Sequence, residues 1–154
     1  MGHRGYGMVL RFRNVDADPS DPVRTWPYEA LVTAIERGLL PDWLPIFDEF
    51  KRDPWGPVSR KVERYLSYAP KNGFTTLFRL AIDRARSNAE KRERAEVAER
   101  VRKAIASSGL TAAQFAERIG TSASRLSTYA TGSVMPSAHM LVRVEYVGRR
   151  SRRD

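Results

Sequence analysis

The stretch AERIGTSASRLSTYATG, residues 116–132, decides the fold of this chain. Gly120 interrupts it at a point where a sharp turn needs a positive φ. Ser122 follows, in position to cap a second helix that runs to about Ala130. Gly132 then ends that helix. The positions of Gly120, Ser122 and Gly132 therefore predict two short helices joined by a tight turn.

The helix before the turn has its own start signal. Thr111 and Gln114 have the spacing of a capping box, which predicts a helix over residues 112–119. Gly109, just upstream, suits the left-handed end of the preceding helix. Two short helices joined by a three- to four-residue turn around a glycine are the pattern of a helix-turn-helix, which places its second helix in the major groove of DNA.

The second helix has two different faces when its residues are placed at 100° steps. Leu126 and Tyr129 lie on the side predicted to be buried. The other side carries small polar residues with one alanine and one arginine at its flanks: Ser124, Ser127, Thr128, Ala123 and Arg125. Small side chains let a helix sink deeply into a major groove. Arg125 either contacts a base or is a solvated or phosphate-pairing residue, and its position leaves these roles open.

The positive charge lies mostly in the half of the chain that contains this motif. The formal net charge is +9, and residues 1–77 carry 11 Lys and Arg against 10 Asp and Glu, whereas residues 78–154 carry 16 against 8. The halves are therefore +1 and +8, and the basic half is where a polyanion would bind.

Composition argues against several classes of protein. The chain has no cysteine and only two histidines, so the sequence offers no thiolate nucleophile and no convincing metal site, and we expect neither a cofactor nor enzymatic activity. Its apolar runs are only a few residues long, so no membrane span is expected. These features fit a cytoplasmic, nucleoid-associated protein.

The sequence predicts an all-α protein made of four regions. Residues 1–24 are expected to form a flexible arm rich in Gly and Pro, residues 25–86 a helical interaction module, residues 87–147 the helix-turn-helix domain, and residues 148–154 a basic tail. Residues 74–108 contain neither Pro nor Gly. This segment is either one long helix or two helices with a hinge, and the sequence leaves both open.

At this point the chain resembles a known family. The segment GLTAAQFAERIGTSASRLSTYATGSVMPSA, residues 109–138, resembles the helix-turn-helix of the Cro and lambda-repressor (XRE) family, and the resemblance covers about residues 94–147. It implies a five-helix DNA-binding domain whose recognition helix starts at Ser122. One departure is Ala112, where the family often has glutamine.

The candidate DNA contacts come from the resemblance together with the residue pattern. The resemblance implies contacts by the start of the helix over 112–119 and by one face of the recognition helix. The basic tail is predicted to add phosphate or minor-groove contacts. The full set of candidates is Thr111, Gln114, Ser122, Ala123, Ser124, Arg125, Ser127, Thr128, Arg149 and Arg150.

Three functions remain open from the sequence. The leading one is a sequence-specific regulator, a repressor that binds double-stranded DNA as a homodimer. The second is an antitoxin and autorepressor that binds a toxin through residues 25–85, and the third is a protein-interaction adaptor with little DNA binding. A dimer could form through the N-terminal helical module or through apolar residues near the C-terminus, namely Val142, Val144, Tyr146 and Val147.

Overall fold

The computed structural model describes residues 10–12 and 15–150, and within this part of the chain it is all-helical, as predicted. A short 3-10 helix, Val23–Thr25, precedes seven α-helices. These are α1 (Tyr28–Arg37), α2 (Leu40–Arg52), α3 (Pro57–Leu66), α4 (Gly73–Ser108), α5 (Ala112–Ile119), α6 (Ala123–Thr131) and α7 (Ala138–Arg150). The chain divides into two compact units, and the division falls between Ala89 and Glu90.

Aromatic rings form the centre of the N-terminal unit. Phe78 of α4 is fully buried, and the rings of Trp43, Phe47 and Phe50 on α2 lie with their centroids 5.5, 4.9 and 6.5 Å from its own. The Trp43 indole Nε1–H also donates a 2.8 Å hydrogen bond to the Ala34 carbonyl of α1. The aromatic residues of this half therefore pack a core. The Trp43 indole is paired there, whereas the buried Tyr28 hydroxyl has no hydrogen-bond partner among the described residues.

Part of the segment predicted as a flexible arm, residues 1–24, packs against the helical core. Leu10 and Val23 are buried, and the ring of Phe12 packs edge-on against Trp26 at 5.0 Å. The Trp26 indole donates to the Asp21 carbonyl at 3.0 Å. The Gly and Pro content of the segment indicated a flexible arm, although its apolar residues pack against the helical core. The other residues of the predicted arm, 1–9 and 13–14, lie outside the described residues.

The segment from 74 to 108 is a single helix. The 36-residue α4 begins after Asn72, whose side-chain Oδ1 accepts from the N–H groups of Phe74 and Thr75 at 2.9 and 3.1 Å. Its polar middle, residues 87–94, is rich in Glu, Lys, Arg and Ala, which are good helix formers. A run of such residues without Pro or Gly continues the helix, although the apolar stripe pauses there.

The C-terminal unit contains four helical segments in its described residues, namely the second part of α4 and all of α5, α6 and α7. The expected number was five. Residues 133–137, which include Pro136, are non-helical and lead directly from α6 into α7. The core common to these helices consists chiefly of Val101, Phe115, Ile119, Leu126 and Val144. No helix in the described part of the chain is long and apolar enough to cross a membrane.

The backbones of α7 and α4 approach closely at Gly148. A Cβ atom on Gly148 would lie 2.9 Å from both the Cα and the Cβ of Ala104. We expect Gly148→Ala to lower the free energy of unfolding of the C-terminal unit by about 1–3 kcal/mol, because one of the helices must shift to admit the methyl group.

Urea denaturation followed by circular dichroism measures this effect. Gly73→Ala is the matched control, because a Cβ on Gly73 meets no atom within 4 Å and its φ needs no glycine. An equal stability of the two variants would contradict the close approach at Gly148.

Candidate nucleic-acid interface

The predicted capping box is present at the start of α5. The Gln114 backbone N–H donates to Thr111 Oγ1 at 3.2 Å, and the Thr111 backbone N–H donates to Gln114 Oε1 at 2.9 Å. Both side chains are exposed. The cap uses the Oε1 acceptor of Gln114 and leaves its amide NH₂ group available as a donor. The N-terminus of α5 is therefore fixed by the same two residues that are candidate phosphate contacts.

The turn between α5 and α6 requires glycine for a conformational reason. Gly120 has φ 78° and ψ 36°, and the Thr121 N–H that follows donates to the Ala116 carbonyl at 2.9 Å. This is the hydrogen bond of a Schellman motif, in which the glycine is left-handed. An added Cβ would meet only Arg143 Nη1, at 3.7 Å, so φ rather than crowding selects glycine here.

The cap and the buried side of α6 also agree with the sequence prediction. Ser122 Oγ accepts from the Arg125 backbone N–H at 3.1 Å, and Gly132 ends the helix with φ 80°. Leu126 and Tyr129 are buried in the core of the C-terminal unit. The orientation of α6 is thus set by its apolar side, and this leaves its polar side open to solvent.

The open side of α6 is formed by Ala123, Ser124, Arg125 and Ser127, all of which are exposed. Thr128 differs because it is only half-exposed and its hydroxyl donates to the Arg125 carbonyl one turn earlier, at 2.6 Å. Its hydroxyl hydrogen is therefore used within the helix, and only its oxygen lone pairs remain for a partner. We name the five residues 123, 124, 125, 127 and 128 the α6 face.

Arg125 is held in place by its own helix. Its Nε–H donates to the hydroxyl of Tyr129 at 3.3 Å, one turn further along α6. This contact orients the guanidinium group and leaves its two terminal NH₂ groups free of the tyrosine. The i, i+4 spacing of the pair is visible in the sequence, but the predicted burial of Tyr129 gave no reason to expect its hydroxyl to contact an exposed arginine.

Two arginines outside α6 support the motif, and the sequence analysis missed both. Arg143 of α7 donates to the Ile119 carbonyl at the end of α5 at 2.9 Å, and Arg102 of α4 donates to the Ala130 carbonyl near the end of α6 at 2.6 Å. Cations are favourable at helix C-termini, where carbonyls lack helical partners. Each arginine is more than twenty residues from its acceptor, so no local pattern could reveal the pair.

The last two candidates lie at the end of α7, and their contacts are with α4 and α7 residues for Arg149 and with α7 for Arg150. Arg149 lines a cavity of about 200 Å³ together with Arg100, Lys103 and Glu145. Arg150 donates to the Tyr146 hydroxyl at 2.6 Å. The rest of the predicted basic tail, residues 151–154, lies outside the described residues. Eight of the ten candidate residues thus lie on or next to α5 and α6, and the other two, Arg149 and Arg150, lie on α7.

Comparison with known proteins agrees with this geometry. A family model described as "Helix-turn-helix" matches residues 96–145, about a third of the chain. This segment is a Cro/C1-type helix-turn-helix of the XRE family. Domains of this kind are found in DNA-binding regulators. From here on we call residues 90–150 the helix-turn-helix unit. No curated protein and no solved structure matches the chain.

Proposed function

We propose that this protein is a sequence-specific DNA-binding regulator, a repressor that acts as a dimer and reads the major groove with the α6 face. The observation that carries the proposal is the exposed row of small polar side chains on the second helix of a capped, glycine-turned helix-turn-helix. In this proposal the protein acts by binding DNA and catalyses no reaction. It is proposed to reside in the cytoplasm, associated with the nucleoid.

The α6 face suits close approach to base edges. Ser124 and Ser127 have short exposed side chains, so the helix backbone can come nearer to the floor of the groove than long side chains would allow. A serine hydroxyl can donate or accept and so distinguishes bases less sharply than a bidentate side chain. Arg125, oriented by Tyr129, is therefore proposed as the main base-reading residue, with DNA shape as a further source of specificity.

Phosphate contacts are proposed at the edges of this surface. Thr111 and Gln114 lie at the N-terminus of α5, where backbone N–H groups and the helix dipole favour an anion. Ser122 occupies the same place on α6, although its oxygen already caps the helix. Arg149 and Arg150, at the end of α7, are proposed to add phosphate contacts beside those of α5 and α6.

DNA selection with the full-length protein tests this function. Random duplexes are selected at two salt concentrations, and a short inverted repeat is the expected result, since a dimer reads two half-sites about one helical turn apart. The affinity should fall at least about tenfold between 50 and 200 mM salt, because phosphate contacts release counterions. Enrichment without a motif would contradict sequence-specific reading, and no enrichment at either concentration would contradict DNA binding itself.

A reporter experiment tests repression separately. The selected inverted repeat is placed across the start site of a promoter, and expression is measured with and without the protein. Reduced expression is the result expected of a repressor, whereas unchanged or increased expression would contradict that part of the proposal.

A further inference from the structure

The N-terminal unit carries an exposed apolar surface that its own core does not use. It consists of large side chains on the outer edges of α2 and α4, with exposed fractions between 40 and 61%. We call this surface the α2–α4 face, and its members are Leu40, Leu44, Phe74, Leu77 and Leu80.

The two edges form one continuous surface. The ring of Trp43 on α2 packs against Phe74 on α4 with centroids 5.2 Å apart, and Phe47 packs against Phe78 at 4.9 Å. These ring contacts join the helices directly beneath the face. Leu40 and Leu44, four residues apart, share one side of α2, the helix whose Trp43 and Phe47 contact α4.

The size of the α2–α4 face is that of an interface core. Five side chains of about 150–200 Å² each, roughly half exposed, present about 400–500 Å² of apolar surface. A standard interface buries about 800 Å² per partner, of which somewhat more than half is apolar. The largest apolar patch of a typical soluble monomer is about 300–600 Å² and is often a functional surface.

We propose that a second copy of this chain covers the α2–α4 face and that this contact is the dimer interface. Phe74, Leu77 and Ala81 alternate three and four residues, which is the spacing of a seam between two helices, although Ala81 also packs partly against the core of its own unit. A two-fold axis brings the same surface of both copies together, so α4 packs against α4 of the other copy.

The charges at the border of the face also favour a second copy. Exposed residues of both signs follow the apolar side chains along the two helices. They are Asp48 and Lys51 on α2, whose charged groups lie 4.0 Å apart, and Asp83 and Arg84 on α4. A two-fold arrangement can place acidic residues of one copy near basic residues of the other. A surface for a polyanion would instead be bordered by cations alone.

The alternative dimer surface on α7 is too small. Of the four residues considered there, Val144 and Val147 are buried in the core of the helix-turn-helix unit. Only Val142 and Tyr146 remain exposed, and the Tyr146 hydroxyl is already engaged by Arg150. Two side chains cannot supply the apolar area of a stable interface.

Sedimentation equilibrium of the full-length protein without DNA tests this proposal. We expect the wild type to be a dimer at micromolar concentration and the double variant Leu77→Glu/Leu80→Glu to raise the dimer Kd at least about 100-fold, because two carboxylates would be buried among apolar side chains. Both positions are exposed in the single chain, so the fold should persist, and circular dichroism verifies this.

The matched control is Val142→Glu/Tyr146→Glu, which makes the same charge change on α7 and should leave the dimer intact. A wild type that stays monomeric up to about 100 µM would overturn the proposal and leave the face to another occupant, such as a toxin or a further segment of this chain. A dimer that survives the α4 variant, or is lost in the α7 variant, would also overturn it. Since no DNA is present, failure of the DNA-binding proposal would not alter these outcomes.

Discussion

Leu126→Ala is expected to remove a large share of the stability of the helix-turn-helix unit. Leu126 is 1% exposed and packs with Phe115 and Ile119 in the core that α6 shares with α5. Truncation of a buried leucine costs about 2–5 kcal/mol through lost transfer energy and the cavity left behind. A unit of this size has a free energy of unfolding of roughly 3–9 kcal/mol, so the variant unit should be marginal.

Urea denaturation with two probes measures this loss in the correct unit. All three tryptophans, residues 26, 43 and 55, lie in the N-terminal unit, so their fluorescence follows that unit, whereas far-ultraviolet circular dichroism follows both. The variant should lose part of its helical signal at lower urea than its fluorescence change. Val142→Ala removes methyl groups from an exposed position of the same unit and should change stability by less than about 0.5 kcal/mol. Equal effects of the two substitutions would show that Leu126 does not anchor α6.

Ser124→Glu combined with Ser127→Glu should abolish operator binding without unfolding the protein. Both serines are exposed on the α6 face, and glutamate is well tolerated in a helix. In the proposed complex the two carboxylates would lie close to phosphates and to base acceptors. Juxtaposed like charges cost several kcal/mol, so the affinity for the selected operator should fall at least about 100-fold.

Titration of a labelled operator at constant salt measures this change. The matched control is Ser67→Glu combined with Ser87→Glu, since both serines are exposed in the N-terminal unit and the net charge changes equally. The net charge of the protein and the salt concentration are then the same in both titrations. Undiminished binding by the α6 variant would show that another surface reads DNA.

The sequence was sufficient to predict the helix-turn-helix because its signals are local. The cap at Thr111 and Gln114, the positive φ at Gly120 and the cap at Ser122 each depend on residues within four positions of one another. Such hydrogen bonds form whenever the backbone takes that turn, so the residue types reveal them. The buried positions of Leu126 and Tyr129 followed from helical periodicity in the same way.

Features that depend on distant residues were missed or left open. The contacts of Arg102 and Arg143 with the ends of α6 and α5 join residues more than twenty positions apart, and the burial of Leu10 depends on the helices that follow it. The continuity of α4 was undecided because good helix formers and an interrupted apolar stripe gave opposite indications. The α2–α4 face could not be predicted. Apolar residues at helical spacing are expected to be buried, and only the packing of the helices shows which of them stay exposed. The DNA contacts themselves remain predictions.

The buried side of α6 holds the helix in the core, and its exposed side carries the side chains that are proposed to contact DNA. Leu126 and Tyr129 hold the helix, whereas Ser124 and Ser127 make no contact that the core requires. Substitutions at exposed positions of this kind usually change stability by less than about 0.5 kcal/mol. Mutation can therefore introduce new side chains on the α6 face at little cost to folding. If the proposed function is correct, the operator preference can diverge between descendants while the scaffold stays the same.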